Sequence, residues 1–249
     1  MITKNELDAL VEKYETEEFI KDDPIQFPHR YTNKKDIELA GFISSLLAYG
    51  SRSQFIKKLD YLFCKIAQDE PLNFIENFDA EILGDFNYRF GKTQDFAEIF
   101  RLLKELYTCS NGLEDLFEYG KNQDKMYETV VDYFYSRVKQ DIGQGFYHMI
   151  PNPHKGGAMK RMSMFLRWMV RDGKVDLGIW KFLSPSELFI PLDVHVGRIS
   201  RKLGLLNRNA NDFKSVVELT NTLKSFCPED PAKYDFALFG LGVNRKIQP

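Results

Sequence analysis

Hydrophobic residues recur every three or four positions through most of the chain, which is the pattern of amphipathic α-helices. The apolar stripe of Leu7 to Phe19 predicts a first helix, and Lys35 to Ala48, apolar almost all round, predicts a central buried one. Further helices are predicted over 55–68, 96–107, 113–119, 126–140, 158–171, 213–226 and after Asp230-Pro231. Strand-like alternation bounded by turn residues is scarce, so the sequence predicts an all-α fold.

The composition is that of a packed globular protein, with 43% hydrophobic and 14% aromatic residues in 249. The first residues lack a signal-peptide pattern and no long apolar window follows, so we expect a soluble, cytoplasmic protein without membrane contact. Cys64, Cys109 and Cys227 are odd in number and far apart, which predicts three buried thiols rather than a disulfide framework. Four histidines without ligand spacing predict no metal and no cofactor.

Positive charge is concentrated in one part of the sequence. Residues 151–208 carry eleven Lys or Arg against four Asp or Glu, although the whole chain has a net charge of −2. A basic region on an otherwise acidic protein is typical of a surface that attracts a polyanion.

Within this region a glycine turn precedes a cationic helix. On a helix over 158–171, the cations Lys160, Arg167 and Arg171 share one face with Met164. A solvated helix face and a polyanion contact both fit this pattern. Gly156-Gly157 and the helix start could together present backbone N–H groups to a phosphate.

Asp193 stands where the next helix should begin. A cap on the helix N-terminus is the simplest role for it, since aspartate accepts hydrogen bonds from first-turn N–H groups. An ionised carboxylate there could also stabilise a developing positive charge or orient a nucleophile, so capping and catalysis are compatible. His195 fits a phosphate or surface contact as well as an acid or base.

The segment Pro191-Leu192-Asp193-Val194-His195-Val196, with Arg198 and Leu203-Gly204-Leu205 after it, resembles the helix-hairpin-helix (HhH-GPD) DNA glycosylase superfamily. The resemblance extends from about residue 35 to the C-terminus. It implies one two-lobed helical domain over 1–249, with the hairpin and the catalytic segment over 152–206. The sequence of residues 159–171, together with the later Pro191-Leu192-Asp193, is more closely similar to an uncharacterised bacterial family known as domain of unknown function 2400.

By this resemblance the protein acts on duplex DNA in base-excision repair. Asp193 matches the catalytic aspartate, and Lys160 is the counterpart of the lysine that attacks the sugar C1′ in members with lyase activity. Lys160 lies one position farther from the last glycine than in the superfamily pattern. Arg52 or Gln54 would fill the gap left by an extruded base. The residues expected to contact DNA phosphates are Lys155, Gly156, Gly157, Arg161, Arg167, Arg171, His195, Arg198 and Arg201.

Two other functions remain open from the sequence. A non-catalytic nucleic-acid-binding module could keep the scaffold without the chemistry, and would bind DNA in a salt-sensitive way. An enzyme acting on a free base or nucleoside would instead need a closed pocket near Asp193.

Overall fold

The computed structural model describes residues 2–243, and its helices follow the apolar stripes of the sequence. The central helix predicted over Lys35 to Ala48 is found at Lys34–Leu47. The side chain of Asn33 caps its N-terminus by accepting hydrogen bonds from the backbone N–H groups of Lys35 and Asp36. The α-helices of the described residues are Lys4–Tyr14 (α1), Glu17–Asp22 (α2), Lys34–Leu47 (α3), Arg52–Asp60 (α4), Pro71–Glu76 (α5), Thr93–Cys109 (α6), Leu113–Asn122 (α7), Met126–Arg137 (α8), Gln144–Met149 (α9), Lys160–Val170 (α10), Val194–Lys202 (α11), Phe213–Lys224 (α12) and Tyr234–Val243 (α13).

The described residues contain no β-strand, which confirms the all-α class. Isolated bridges join three residue pairs: Tyr88 with Gly91, Gly157 with Asp212 and Asp172 with Leu177. Between residues 2 and 243, every helix is too short or too polar to cross a lipid bilayer.

Two predicted helices are divided. The helix expected over Leu7 to Phe19 becomes α1 and α2, because the chain leaves helical geometry at Glu15. The helix expected over Phe55 to Gln68 changes from α4 to a π-helical segment at Tyr61–Ile66. Short 3₁₀ turns lie at Pro24–Gln26, Pro28–Arg30, Ala80–Leu83, Pro153–Lys155, Pro185–Glu187 and Pro231–Lys233.

The chain divides into two compact units. The first unit combines residues 1–22 with residues 155–249, and the second unit is the continuous stretch 23–154. The segment 152–206, expected to hold the hairpin and the catalytic residues, crosses this division at residue 155.

The second unit is built around α3 and a set of aromatic side chains. Phe42 of α3 stacks on Phe134 of α8 with 5.8 Å between ring centroids, and Phe100 of α6 packs edge-on against Phe74 at 5.3 Å. Glu38 is buried in α3, where it accepts hydrogen bonds from the Tyr107 hydroxyl and from Leu113 N at 2.8 Å. The buried carboxylate is therefore satisfied within the core.

The first unit has its own apolar core, formed where α1, α11, α12 and α13 present their apolar faces to each other. Its buried residues include Leu7, Val11, Val196, Leu219 and Leu238. Helix α1 belongs to this unit, although the 132 residues of the second unit separate residues 1–22 from residues 155–249 in the sequence. Apolar burial thus fixes α11 and α13, which carry residues of the candidate site.

Candidate active site

Asp193 caps helix α11 with one carboxylate oxygen and faces a lysine with the other. Its Oδ1 accepts hydrogen bonds from the backbone N–H groups of His195 at 2.8 Å and Val196 at 2.9 Å. Its Oδ2 lies 3.6 Å from Nζ of Lys160. The cap therefore uses Oδ1 alone, and Oδ2 faces the amine.

Lys160 is the first residue of α10, and it follows an unusual backbone conformation. Met159, which is 2% exposed, has φ +51°, and no side chain of the described residues caps this helix. The side chain of Lys160 is 29% exposed and that of Asp193 is 21% exposed. A separation of 3.6 Å is longer than a hydrogen bond, so the amine is held near the carboxylate by charge rather than by fixed geometry.

The glycine turn before α10 is exposed and anchored to the start of α12. Gly156 has φ +73°, and its carbonyl accepts a hydrogen bond from Phe213 N at 2.9 Å. Gly157 forms a bridge with Asp212, which caps α12 through Ser215 N. A β-carbon on either glycine would meet no atom within 4 Å. The turn is thus fixed on one side and open on the other.

Several predicted phosphate contacts lie on the surface of the first unit. Lys155, His195 and Arg198 are exposed, and Arg161 is partly exposed. Arg198 also donates to the carbonyl of Gly242 at 3.2 Å, which leaves other guanidinium N–H groups for solvent. These residues remain candidates for contact with an anion.

Arg201, unlike these residues, is bonded to the loop that follows α11. Its guanidinium donates to the carbonyls of Arg208 at 2.7 Å and Ala210 at 2.9 Å, and to Asn211 Oδ1 at 2.7 Å. These bonds fold the loop that follows α11. Arg201 is therefore largely committed to the structure of this loop.

The prediction that Arg167 and Arg171 contact phosphate is wrong, because both side chains are buried. They are 3% and 4% exposed as residues. Arg167 pairs with Asp176 through Nε at 3.2 Å and with Asp235 through Nη1, and its guanidinium carbon lies 4.3 Å from the ring centre of Phe236. The i, i+7 spacing from Lys160 is correct, but α13 and the loop after α10 cover this end of the helix face.

Arg171 completes a buried charge cluster. It donates to Asp176, to Glu15 at 3.0 Å and to both oxygens of Asp230 at 2.9 Å. Burial works against the charge of Arg171, but the three carboxylates outweigh it and raise its pKa. Burial also raises the pKa of Asp176, although Arg167 and Arg171 oppose this effect. We call the residues Glu15, Arg167, Arg171, Asp176, Asp230 and Asp235 the buried charge cluster.

Asp235 was not predicted as a site residue. It is the only acid in the apolar run Tyr234 to Val243, and that isolated charge in an otherwise hydrophobic helix is the sequence signal that could have identified it. Burial, opposed by Arg167 and strengthened by the negative charge of Asp193, raises its pKa to about 7. Lys160 also acts on this group electrostatically. Asp235 belongs to the buried charge cluster through its ion pair with Arg167.

Arg52 and Gln54 belong to the second unit. They lie in the first turn of α4, where Arg52 is partly exposed and Gln54 is exposed. The second unit also has an open groove of about 710 Å³. None of the predicted site residues lines this groove, whose polar residues include Thr93, Gln94, Glu98, Arg101, Lys139 and Asp141.

The cysteines are less buried than expected. Cys64 and Cys227 are partly exposed and Cys109 is exposed at the last residue of α6, so the prediction of three buried thiols is wrong. In the part of the chain that the structure describes, no group of three His, Cys, Asp or Glu side chains is arranged to hold a metal ion.

Comparison with known proteins identifies a family without assigning an activity. No curated protein and no solved structure matches the chain. A family model described as a protein of unknown function (DUF2400) matches residues 23–244. This match covers most of the first unit and all of the second, including Lys160, Asp193 and Asp235. The chain therefore belongs to the DUF2400 family.

Proposed function

We propose that this protein is a DNA glycosylase of the helix-hairpin-helix type, with an associated lyase activity, that removes a damaged base from duplex DNA. The observation that carries the proposal is the approach of Lys160 Nζ to within 3.6 Å of Asp193 Oδ2. The two residues are far apart in the sequence, and both are partly exposed. An amine beside a carboxylate on an accessible surface is the arrangement that Schiff-base chemistry needs.

The chemistry follows from the two functional groups. The neutral amine of Lys160 attacks C1′ of the damaged nucleotide, the C1′–N bond breaks, and the base leaves with the bonding electrons. The proton lost from the lysine nitrogen passes to Asp193 and on to the departing base. The C1′–O4′ bond then breaks, the remaining amine proton moves to O4′, and the opened sugar is joined to Lys160 by an imine at C1′.

The position of Asp193 suits this role. Its Oδ1 is held by two backbone N–H groups at the start of α11, which fixes the orientation of the carboxylate. Its Oδ2 is directed to the amine. A preorganised carboxylate can accept the proton, or stabilise positive charge on the sugar, without first rearranging.

The surroundings of the pair favour a polyanionic substrate. Lys155, His195 and Arg198 are exposed in the same unit, and the open turn at Gly156 and Gly157 leads into the N-terminus of α10. Backbone N–H groups at such a terminus bind phosphate well. We infer that these residues contact the DNA backbone and position a strand near Lys160.

Borohydride trapping tests the proposal. Duplexes carrying 8-oxoguanine, uracil, an oxidised pyrimidine or an abasic site are incubated with the wild-type protein, Lys160→Gln and Asp193→Asn. Borohydride reduces an imine to a stable amine, so the proposal predicts a covalent adduct with wild type and a loss of at least ~100-fold with either variant.

The controls separate chemistry from folding. Asparagine is also a good helix cap, so Asp193→Asn keeps α11 intact while removing the charge beside Lys160. Lys174→Gln removes an exposed lysine of the same unit that lies 3.6 Å from Glu12, and should leave trapping unchanged. Base release without an adduct would indicate a glycosylase that uses Asp193 and water. Salt-sensitive DNA binding with neither product would favour a non-catalytic DNA-binding module.

A further inference from the structure

A tight turn in the second unit exposes an arginine and a phenylalanine side by side. Tyr88 and Gly91 close the turn with two backbone hydrogen bonds, each 2.9 Å long. Between them, Phe90 is 57% exposed, and Arg89 is exposed and has φ +52°. A left-handed backbone is uncommon for a residue other than glycine, and such strain is concentrated at functional sites. The turn therefore holds two exposed side chains in a backbone conformation that local preferences disfavour.

The turn is fixed by the segments on both sides of it. The hydroxyl of Tyr88 donates to the carbonyl of Tyr49, and the hydroxyl of Tyr49 donates to the carbonyl of Tyr88 at 3.1 Å. At Gly145, the second residue of α9, a β-carbon would collide with the carbonyl oxygen of Phe90, so α9 packs directly against the turn. A surface that is rigid before binding loses little conformational freedom when a ligand arrives.

Three aromatic rings meet at this turn. The rings of Tyr49 and Phe90 are nearly parallel, with 9° between their planes and 6.4 Å between their centroids. The exposed ring of His148 in α9 lies edge-on to both, 4.7 Å from the centroid of Tyr49 and 4.8 Å from that of Phe90. The guanidinium carbon of Arg89 is 5.7 Å from the ring centre of Phe90. We call Tyr49, Arg89, Phe90 and His148 the aromatic surface.

The segments that form the aromatic surface carry only positive charge, although the whole chain has a net charge of −2. Residues 49–58, 86–94 and 142–154 contain no Asp or Glu, and their cations are Arg52, Lys57, Lys58, Arg89 and Lys92. Asp95 follows the second segment, but it is fully buried and accepts a hydrogen bond from Lys92 N at 2.9 Å. Exposed rings among cations are the features by which proteins bind unpaired nucleotides, since the rings stack on bases and the cations contact phosphates.

We propose that the aromatic surface binds an unpaired base of a DNA strand, which stacks on Phe90 while Arg89 contacts an adjacent phosphate. The positive charge of the three segments complements a nucleic-acid backbone. A guanidinium beside the exposed ring suits this occupant better than an apolar protein face, which would leave that charge without a partner. The inference rests on the proposed function only in naming DNA rather than RNA, and it does not require the chemistry of Lys160.

Stacking can be followed with 2-aminopurine, a base whose fluorescence falls when it stacks on another ring. A single-stranded thymidine oligonucleotide with one 2-aminopurine is titrated with wild type, Phe90→Leu and Tyr119→Leu. Leucine keeps an apolar side chain and removes the ring. Tyr119, which is 62% exposed in α7 of the same unit, is the matched control. We expect Phe90→Leu to raise the Kd about tenfold and to abolish the quenching, and Tyr119→Leu to change neither.

An oligonucleotide of the same length with an abasic sugar at every position separates base stacking from phosphate contact. Phe90→Leu should bind this strand as tightly as wild type does. Arg89→Gln should weaken binding of both strands and reduce the slope of log Kd against log salt concentration by about 0.7, the value for one phosphate contact on a single strand. Lys125→Gln, which removes an exposed lysine just before α8, should leave the slope unchanged.

Three results would overturn the proposal: equal losses of affinity in Phe90→Leu and Tyr119→Leu, an equal effect of Phe90→Leu on the two strands, or tighter binding of an RNA strand of the same sequence. The outcome is separate from that of borohydride trapping. If quenching depends on Phe90 but no duplex gives a trapped adduct, the aromatic surface stands and the glycosylase–lyase proposal fails. Trapped adducts without quenching that depends on Phe90 would have the opposite meaning.

Discussion

The two ends of helix α10 carry the same kind of charge in opposite environments. At its start, the side chains of Lys160 and Asp193 are 29% and 21% exposed and lie 3.6 Å apart. At its end, the side chains of Arg167 and Arg171 are 3% and 5% exposed and are bonded to four carboxyl groups. The first arrangement leaves an amine free to turn to another group. The second binds both guanidinium groups to carboxyl groups of the protein itself.

Burial and partners, rather than residue type, decide whether a cation stabilises the fold or stays available for binding. Buried arginines with carboxylate partners join segments of the fold. Arg167 links α10 to α13 through Asp235. Arg171 links the end of α10 to the end of α1 through Glu15 and to the following loop through Asp176. A partly exposed lysine with one loosely held partner can take part in binding or chemistry.

The largest effect is expected from Arg171→Met. Removing this guanidinium leaves the carboxylates of Glu15, Asp176 and Asp230 without their shared partner, so the free energy of unfolding should fall by about 3–5 kcal/mol. Urea denaturation followed by circular dichroism measures the change. Lys174→Gln, which breaks the exposed pair with Glu12, should cost less than about 1 kcal/mol. Similar losses in the two variants would remove the distinction between the buried and the exposed pairs.

A smaller effect is expected from pH. The folded protein keeps a proton on Asp235 up to about pH 7, whereas an unfolded chain releases it near the ordinary value of 3.8. The folded state therefore binds more protons in this window, and its stability falls as the pH rises through it. Relative to Asp235→Asn, wild type should lose about 2–3 kcal/mol of unfolding free energy between pH 5 and pH 8.

Chemical denaturation of both proteins at several pH values provides this test. The difference between their unfolding free energies is the relevant quantity, because it cancels the other titrating groups. A difference that stays constant from pH 5 to pH 8 would show that Asp235 is already ionised at the lower pH.

The smallest effect concerns the turn that leads to Lys160. Gly156 has φ +73°, which disfavours any side chain, so Gly156→Ala should reduce stability by about 1 kcal/mol. Gly157→Ala is the matched control, because the backbone of Gly157 is not left-handed and the space around Gly157 is as open as that around Gly156. Thermal unfolding of the two variants should place Gly156→Ala several degrees lower. Equal melting temperatures would mean that the turn can relax without cost.

Much of the fold could be predicted from the sequence because it depends on local periodicity. The stripes that defined α3, α6, α8 and α12 gave their positions to within a few residues, and the scarcity of alternation gave the all-α class. The π-helical segment after α4 could not be predicted in this way, since its apolar spacing still resembles that of an α-helix. The division into two units depends on which distant segments pack together.

The candidate site was predictable only in part, for a physical reason. Helical spacing correctly places Lys160 and Arg167 on one face of α10, but it does not report which part of that face another element covers. Arg167 is covered because α13 brings Asp235 and Phe236 against it. That contact joins residues 68 positions apart in the chain. Local pattern cannot separate a buried arginine from an exposed lysine two turns away.

Identifying the lysine that carries a trapped adduct tests whether Lys160 is the nucleophile. Wild-type protein is incubated with an abasic-site duplex and borohydride, the DNA is digested, and the modified peptide is sequenced by mass spectrometry. We expect the sugar remnant to lie on Lys160, and Asp193→Asn to reduce its amount greatly. An adduct on Lys155, Lys174 or Lys202 with Lys160 unmodified would contradict the assignment of Lys160 and Asp193 as the reactive pair.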